Sequence, residues 1–417
     1  MISVDSPNAP EPGSLDGVRI LHVSPPLAPD IRSDKENASY RAAGATVGMA
    51  VVGVHGDLHS AYDDPLTTLI SLPLTRSGAL RAKIGLQTKL DSAVIRNQVR
   101  RAISLFSPDV LHVHNMFIAR AVQECAPNIP ILLDLHENDP AACEIYRSAY
   151  PPLKRLMFAV FQFRTRLARR EREAIDRSDV VITVTEEATE RINTEYHAHN
   201  VFTVPNLESH NYGIDRPLPR ASTRRPNDPL NIVYVGGFGP HRGLETLARG
   251  VGLANKEGVH VTANLYGAQE SDYLKKFEKM LHDEGLESFT NLHGWIPKSE
   301  VARRIDEADL CTVPHSSNEQ TEATLPHKLF QYMARAKPVL VSSCSPLRRH
   351  VRKAQAGFVF EADNPISCAL EIRSAAESKD LAARGQSGLY YIKSVANWEL
   401  ISEPALIGAV QFALRER

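Results

Sequence analysis

Short, nearly continuous apolar runs recur along this chain, separated by stretches in which apolar residues return every three or four positions. Residues 18–23, 47–54, 110–114, 131–135, 179–184 and 201–206 have the first pattern and read as buried strands. Residues 89–105 carry the helical spacing, the segment around 40–43 looks helical, and Thr185 can cap a helix starting at Glu186. Strand and helix alternate at the length of a βαβ unit. That alternation predicts an α/β architecture, a parallel sheet covered by helices on both faces. The pattern then restarts: residues 230–235, 261–265, 309–314, 339–341 and 356–360 read as strands of a second sheet, with a helix from Leu244.

Length agrees with two sheets, because 417 residues exceed one ordinary core and suggest two domains of roughly 200 residues. Residues 1–17, with three prolines and little to bury, are expected to form a flexible tail; 18–206 form the first domain. Residues 207–229, rich in Pro, Asn, Arg and Ser, form a linker, 230–395 the second domain, and 396–417 a final apolar helix beginning after Trp398. A formal net charge of −1 argues against bulk nucleic-acid binding. Cys125, Cys143, Cys311, Cys344 and Cys368 are scattered without a Cys-x-x-Cys pair, the usage of a reducing compartment. No apolar run approaches the ~18 residues of a membrane span. A cytoplasmic protein is expected.

Three places carry candidate chemistry. In the stretch 322–341, Pro326 can occupy the first helical position and Lys328 then falls in the first turn, where free N–H groups point outward. Leu329, Met333 and Ala336 give that helix a buried face, and Lys337-Pro338 ends it before the strand 339–341. A helix start beside a cation is an anion site. The second place is Gly236-Gly237-Phe238-Gly239-Pro240-His241-Arg242-Gly243, a glycine-rich turn with Arg242 at the next helix start. The third is the strand-end pair His112 and His114, two apart and so on one face, followed by His136 after the neighbouring strand. Zinc is conceivable for these three histidines on spacing, but no fourth ligand is evident. Separately, residues 154–173 interleave seven cations and two carboxylates with large apolar side chains, which suits either an anionic membrane surface or a solvated face of a core helix.

The run Leu325 to Val339 resembles the signature of retaining GT-B glycosyltransferases of family 4 (group 1), Leu-Pro-x-Lys-Leu-Phe-Glu-Tyr-Met-Ala-x-Gly-Lys-Pro-Val. The resemblance implies two Rossmann-like domains facing across a cleft, with the C-terminal helix crossing back to the first. It implies transfer of a sugar, with retention, from a nucleotide-diphosphate sugar to an acceptor hydroxyl, in polysaccharide, glycolipid or other cell-envelope synthesis, without a metal or other cofactor. Its implied partners are the nucleotide sugar and a sugar or lipid-linked acceptor, with an anionic membrane reached through helix 154–173. Arg242 and Lys328 would neutralise the leaving diphosphate and His114 would lie near the anomeric carbon. Gly236, Gly237, His241, Gly267, Glu322, Leu325, Pro326 and His136 would contact substrate, and Trp295 and Ile296 belong to a Gly-Trp-Val-Pro-like loop that holds the base. Gln331 stands where the family has its ribose-binding glutamate, and Ala323 where it has a second acidic residue. Gly237 and Arg242 replace the Arg and Lys of the diphosphate motif, and prolines replace glycines after the first strand. Two rivals stay open: a nucleotide-sugar 2-epimerase of the same fold, and a non-catalytic binding protein.

Overall fold

The computed structural model describes residues 13–25, 31–53, 67–70, 93–148, 163–214 and 228–416, with a few isolated positions between them. Most of the expected tail, the proline loop at 26–30, residues 149–162 with the first part of the basic stretch, and parts of the linker lie outside the described residues. The chain divides into two compact units, one of Met1–Glu144, Leu156–Asn206 and Trp398–Arg417, the other of Ile145–Arg155 and Leu207–Asn397.

Unit 1 holds strands β1 (Arg19–Ser24), β2 (Thr46–Val51), β3 (Thr68–Ile70), β4 (Val110–His114), β5 (Ile131–Leu135), β6 (Val180–Thr183) and β7 (Val201–Thr203). They form one parallel sheet in the order β3-β2-β1-β4-β5-β6-β7. Its helices are α1 (Ile31–Ala42), α2 (Ala93–Phe106), α3 (Met116–Cys125), α4 (Asp139–Ser148, which belongs to this unit as far as Glu144), α5 (Arg164–Ile175) and α6 (Glu186–Tyr196). Strands β4 and β5 are buried at every position because helices cover both faces, which is why they read as unbroken apolar runs. Thr185 caps α6, its hydroxyl accepting from Ala188 N at 3.0 Å.

Unit 2 holds β8 (Leu230–Val235), β9 (Val261–Ala268), β10 (Thr290–Gly294), β11 (Leu310–Val313), β12 (Val339–Ser342) and β13 (Gly357–Phe360), parallel in the order β10-β9-β8-β11-β12-β13. Its helices are α7 (Leu244–Lys256), α8 (Asp272–Asp283), α9 (Lys298–Asp306), α10 (His327–Ala334), α11 (Ser345–Ala354), α12 (Pro365–Glu377) and α13 (Leu381–Ser394). After them the chain returns to unit 1. A π-turn over Trp398–Ser402 leads into α14 (Glu403–Arg415), whose Leu406, Ile407, Ala409, Val410 and Ala413 are buried with Val110, Leu132 and Ile182 of the first sheet. Trp398 Nε1 donates to Ser39 Oγ at 2.8 Å, tying this return to α1.

Three local expectations differ from what is seen. Pro326 sits one residue before α10, in extended backbone (φ −78°, ψ 133°), so Lys328 is the second helical residue. Ala336 lies beyond the helix, at φ 55°, where it closes the C-terminal turn. Helix α1 is longer than expected because its buried face is polar: Arg32, Ser33, Glu36, Asn37, Ser39 and Tyr40.

Candidate functional site

In each sheet the strand order reverses once, at β1/β4 in unit 1 and at β8/β11 in unit 2. Loops leaving opposite sides of such a point diverge, which opens a crevice at the carboxyl ends of the strands. The unit 2 crevice is lined by the glycine-rich turn after β8 and by the loop after β11. Gly236 (φ 150°) and Gly267 (φ 112°) approach so closely that a Cβ on Gly267 would overlap the Gly236 carbonyl, and one on Gly236 would meet Lys328 Nζ. Gly243 (φ 65°) precedes α7, and a Cβ there would overlap the Pro314 carbonyl. Backbone alone fits at these points. The cations are therefore brought in against bare main chain.

Lys328 Nζ lies 4.0 Å from the centre of the Tyr234 ring, sealed from solvent and with no hydrogen-bond partner among the described residues. Burial, then the nearby Arg242 charge, push its pKa well below the usual lysine range. Arg242 Nη1 donates to His315 Nε2 at 3.2 Å. His315 is buried, and its Nδ1 has no partner among the described residues; His241 stands 6.3 Å away, ring to ring, with an Nδ1 likewise unpartnered among them. Burial and the two cations hold His315 well below its ordinary pKa and bring His241 to about 3, so both rings are neutral at pH 7. Two cations and two neutral imidazoles thus converge on one glycine cradle. Helix α10 is held there by Tyr332, whose hydroxyl accepts from Val235 N at 2.9 Å.

The remaining expected residues of unit 2 are placed differently. Glu322 is engaged with protein: its carboxylate accepts from Ser317 Oγ at 2.7 Å and from Ser345 N, at the start of α11, at 2.8 Å. Burial raises its pKa, but those hydrogen bonds outweigh burial and keep it below the usual value. Leu325 is buried beside α10. Gln331 Nε2 donates to Glu208 Oε2 at 3.1 Å, and Glu208 is itself buried. Trp295 is 66 % exposed, which is not the burial of a packing residue; Ile296 beside it is half-buried and touches the core. Below them His293 stacks on Tyr266, with ring centres 4.3 Å apart.

The unit 1 crevice is filled by polar groups. His22 on β1 pairs in register with His112 on β4, and His114 with Asp134 on β5. His22 Nδ1 is 2.7 Å from His114 Nε2, and His114 Nδ1 is 3.2 Å from His136 Nε2. Arg32 of α1 donates to Asp134 at 2.9 and 3.3 Å and contacts Glu36 at 2.8 Å. Tyr40 Oη lies 3.0 Å from His112 Nδ1. His114 is 2 % exposed and His136 is the outermost ring of the group.

Residues 215–387 match the family model described as glycosyl transferases group 1, and residues 51–207 match the one described as glycosyltransferase family 4. The chain belongs with the GT-B glycosyltransferases. The fold is shared with a sucrose-phosphate synthase from Thermosynechococcus elongatus (15 % identity over 96 % of this chain and 98 % of that one, TM-score 0.68). It is shared also with Anabaena HepE, solved with UDP-glucose (14 % identity, 94 % and 99 % covered, TM-score 0.66), and with WaaG, a glycosyltransferase involved in lipopolysaccharide biosynthesis (14 %, 93 % and 98 %, TM-score 0.61). No curated protein matches in sequence.

Sequence reasoning about this glycosyltransferase passed over His315, His22, Arg32, Glu36 and Asp134. His315 carried a signal, as a histidine just past the carboxyl end of a strand. His22 lay concealed in an apolar run, and α1 lacks apolar periodicity because it faces imidazoles and carboxylates. The described part of the basic stretch, α5, buries Leu167, Glu171, Ala174 and Ile175 and exposes Arg164, Arg166 and Arg169. No helix among the described residues is long and apolar enough to cross a membrane.

Proposed function

We propose that this glycosyltransferase moves a sugar, with retention, from a nucleotide-diphosphate sugar to an acceptor hydroxyl in the synthesis of a polysaccharide, glycolipid or other cell-envelope glycan. The observation that carries the reading is the meeting of Arg242 and Lys328 at the Gly236–Gly267 cradle, with Lys328 Nζ buried and without a hydrogen-bond partner among the described residues. A buried ammonium costs free energy until an anion pairs with it. A diphosphate supplies negative charge for both cations, and the N–H groups at the start of α10 add their own attraction. These groups neutralise the leaving diphosphate without a metal, stabilising charge that grows as the glycosidic bond breaks.

In the same reading Trp295 and Ile296 hold the base, and Gln331 with Glu208 meets the ribose. His136, with His114 behind it, contacts the transferred sugar. The solved HepE complex contains UDP-glucose, which makes UDP-sugars the first donors to try. The test is turnover over a panel of nucleotide sugars with and without acceptor alcohols, and the anomeric configuration of the product. Inversion overturns retention, a 2-epimerised donor points to the epimerase, and neither hydrolysis nor transfer with any donor removes the catalytic reading.

For the exposed cations of α5 we propose contact with an anionic membrane surface. Vesicles containing anionic lipid should bind the protein, less as salt rises. Binding that survives replacement of Arg164, Arg166, Arg169 and Arg170 by Gln rejects it.

A further inference from the structure

Unit 1 encloses a polar cluster that extends inward from His114 and His136, beyond what the transfer reaction above uses. His22, Glu36, His112 and His114 each offer one ligand atom, and the four atoms lie within 4.8 Å of one another. All four side chains are buried, three of them completely. They come from three elements, β1, β4 and α1, so the constellation is a product of the fold and not of a local turn. From this we propose that His22, Glu36, His112 and His114 bind a divalent transition-metal ion, of which zinc fits the donors best.

Four observations support the site. The first is chemical: three imidazoles and a carboxylate form a donor set for a borderline cation, and zinc takes four such ligands in a tetrahedron. The second is an unmet need, because His112 Nε2 is enclosed, 3.5 Å from Asp134 Oδ2, and has no hydrogen-bond partner among the described residues, a costly state for a buried polar atom. The third is charge. Among the fully buried groups here, one cation, Arg32, stands against two carboxylates, Glu36 and Asp134, a balance that favours a further cation.

The fourth is geometric. Ligand atoms about 2.05 Å from a tetrahedral zinc are about 3.4 Å apart. His114 Nε2 is 2.7 Å from His22 Nδ1 and 3.9 Å from Glu36 Oε2, so the spacings straddle that value and small rotations bring them to it. The surroundings also suit ligation. Tyr40 Oη lies 3.0 Å from His112 Nδ1 and can take its proton, leaving Nε2 for the metal. His114 coordinated through Nε2 carries its proton on Nδ1, 3.2 Å from His136 Nε2. Such outer hydrogen bonds orient metal-binding histidines. The spacing argument from sequence offered His112, His114 and His136; the fold replaces His136 with His22 and supplies Glu36 as the fourth ligand.

The test uses the full chain without an affinity tag, stripped with chelator and then titrated with Zn²⁺ and with Co²⁺. The expected result is one ion per chain, the intense visible bands of four-coordinate Co²⁺, and a higher melting temperature with Zn²⁺. His22→Ala and the nearly isosteric Glu36→Gln should each weaken Co²⁺ binding at least tenfold and alter its bands, whereas Arg242→Ala should leave both unchanged. Absence of a stoichiometric site in the folded wild-type chain overturns the proposal and leaves a hydrogen-bonded histidine cluster. Equal binding by wild type and Glu36→Gln overturns it as well, and this variant retains the side-chain shape should His22→Ala fail to fold. Neither readout depends on catalytic turnover.

Discussion

Arg242 donates from Nη1 to Nε2 of His315 at 3.2 Å, which requires an unprotonated Nε2 and places the imidazole proton on Nδ1, buried and unpartnered among the described residues. The pair forms a relay: the imidazole aims the guanidinium and presents its own N–H beside it. If the diphosphate binds here, Arg242→Ala and Lys328→Ala should each reduce turnover by about 10²–10³, with a smaller change in donor KM, because their charge matters most as the leaving group forms. His315→Ala should act more weakly, about 10- to 100-fold in kcat/KM, the effect of losing one hydrogen bond to a charged group. Turnover and melting temperature measured together decide the case. Full activity in a stable Arg242→Ala or Lys328→Ala protein removes that residue from the mechanism.

Lys328 also predicts a pH effect. Its pKa is depressed in the free protein, chiefly by burial and secondarily by Arg242, and a bound dianion must raise it. Binding therefore takes up a proton at any pH between the free and bound values. Affinity for a nucleoside diphosphate such as UDP is then constant below the free-state pKa and falls as pH rises from that value to the bound one. Calorimetry in two buffers of different ionisation enthalpy should register this uptake in the wild type and its loss in Lys328→Arg, whose side chain stays charged. Equal uptake in both proteins assigns the proton elsewhere.

Much of this fold was legible because parallel strands buried on both faces are written as apolar runs: 110–114, 131–135 and 230–235 coincide with β4, β5 and β8. The glycine cradle and the cation beside it were legible for another reason. Glycine at 236 and 267 and lysine at 328 are residue types that only certain backbone and electrostatic settings favour. Periodicity found only the end of α1, since its buried positions 32, 33, 36, 37 and 40 follow a helical spacing made of polar residues. Nor could it reveal that Glu322 caps α11, because that contact joins segments 23 positions apart. Such pairings are decided by topology, and a linear pattern does not contain it.

The hydrogen bond from Gln331 to Glu208 explains why an amide is well suited to this position. Glutamate at 331 would set two carboxylates against each other, raising the pKa of one above its unfolded value near 4.3. A raised carboxylate pKa means that stability is intact below about pH 4 and is lost as pH rises to the new value. Gln331→Glu should therefore melt lower than wild type at pH 7.5, and the gap should narrow near pH 4.5. A gap independent of pH assigns the loss to packing. Gln331→Ala avoids the repulsion and should raise donor KM severalfold, about 1 kcal/mol of hydrogen bonding; an unchanged KM removes Gln331 from the ribose pocket.

Ala336 offers a prediction about stability alone. Helix α10 ends in a Schellman motif: Lys337 N donates to Tyr332 O at 3.1 Å and Ala336 N to Met333 O at 2.9 Å, with Ala336 left-handed at φ 55°. The signature this segment resembles has glycine there, and the geometry gives the reason. In the left-handed region a Cβ crowds the following carbonyl, costing an L-residue about 1–2 kcal/mol, which glycine avoids. Against this, glycine loses more backbone freedom on folding, about 0.5–1 kcal/mol relative to alanine. The strain term is the larger, so Ala336→Gly should stabilise the protein by about 0.5–1 kcal/mol, or roughly 1–4 °C in Tm for a unit of this size. Donor KM and turnover should not move, since the position lies at the far end of α10 from Lys328. A melting temperature equal to or below that of wild type would show that the motif tolerates the methyl group without strain.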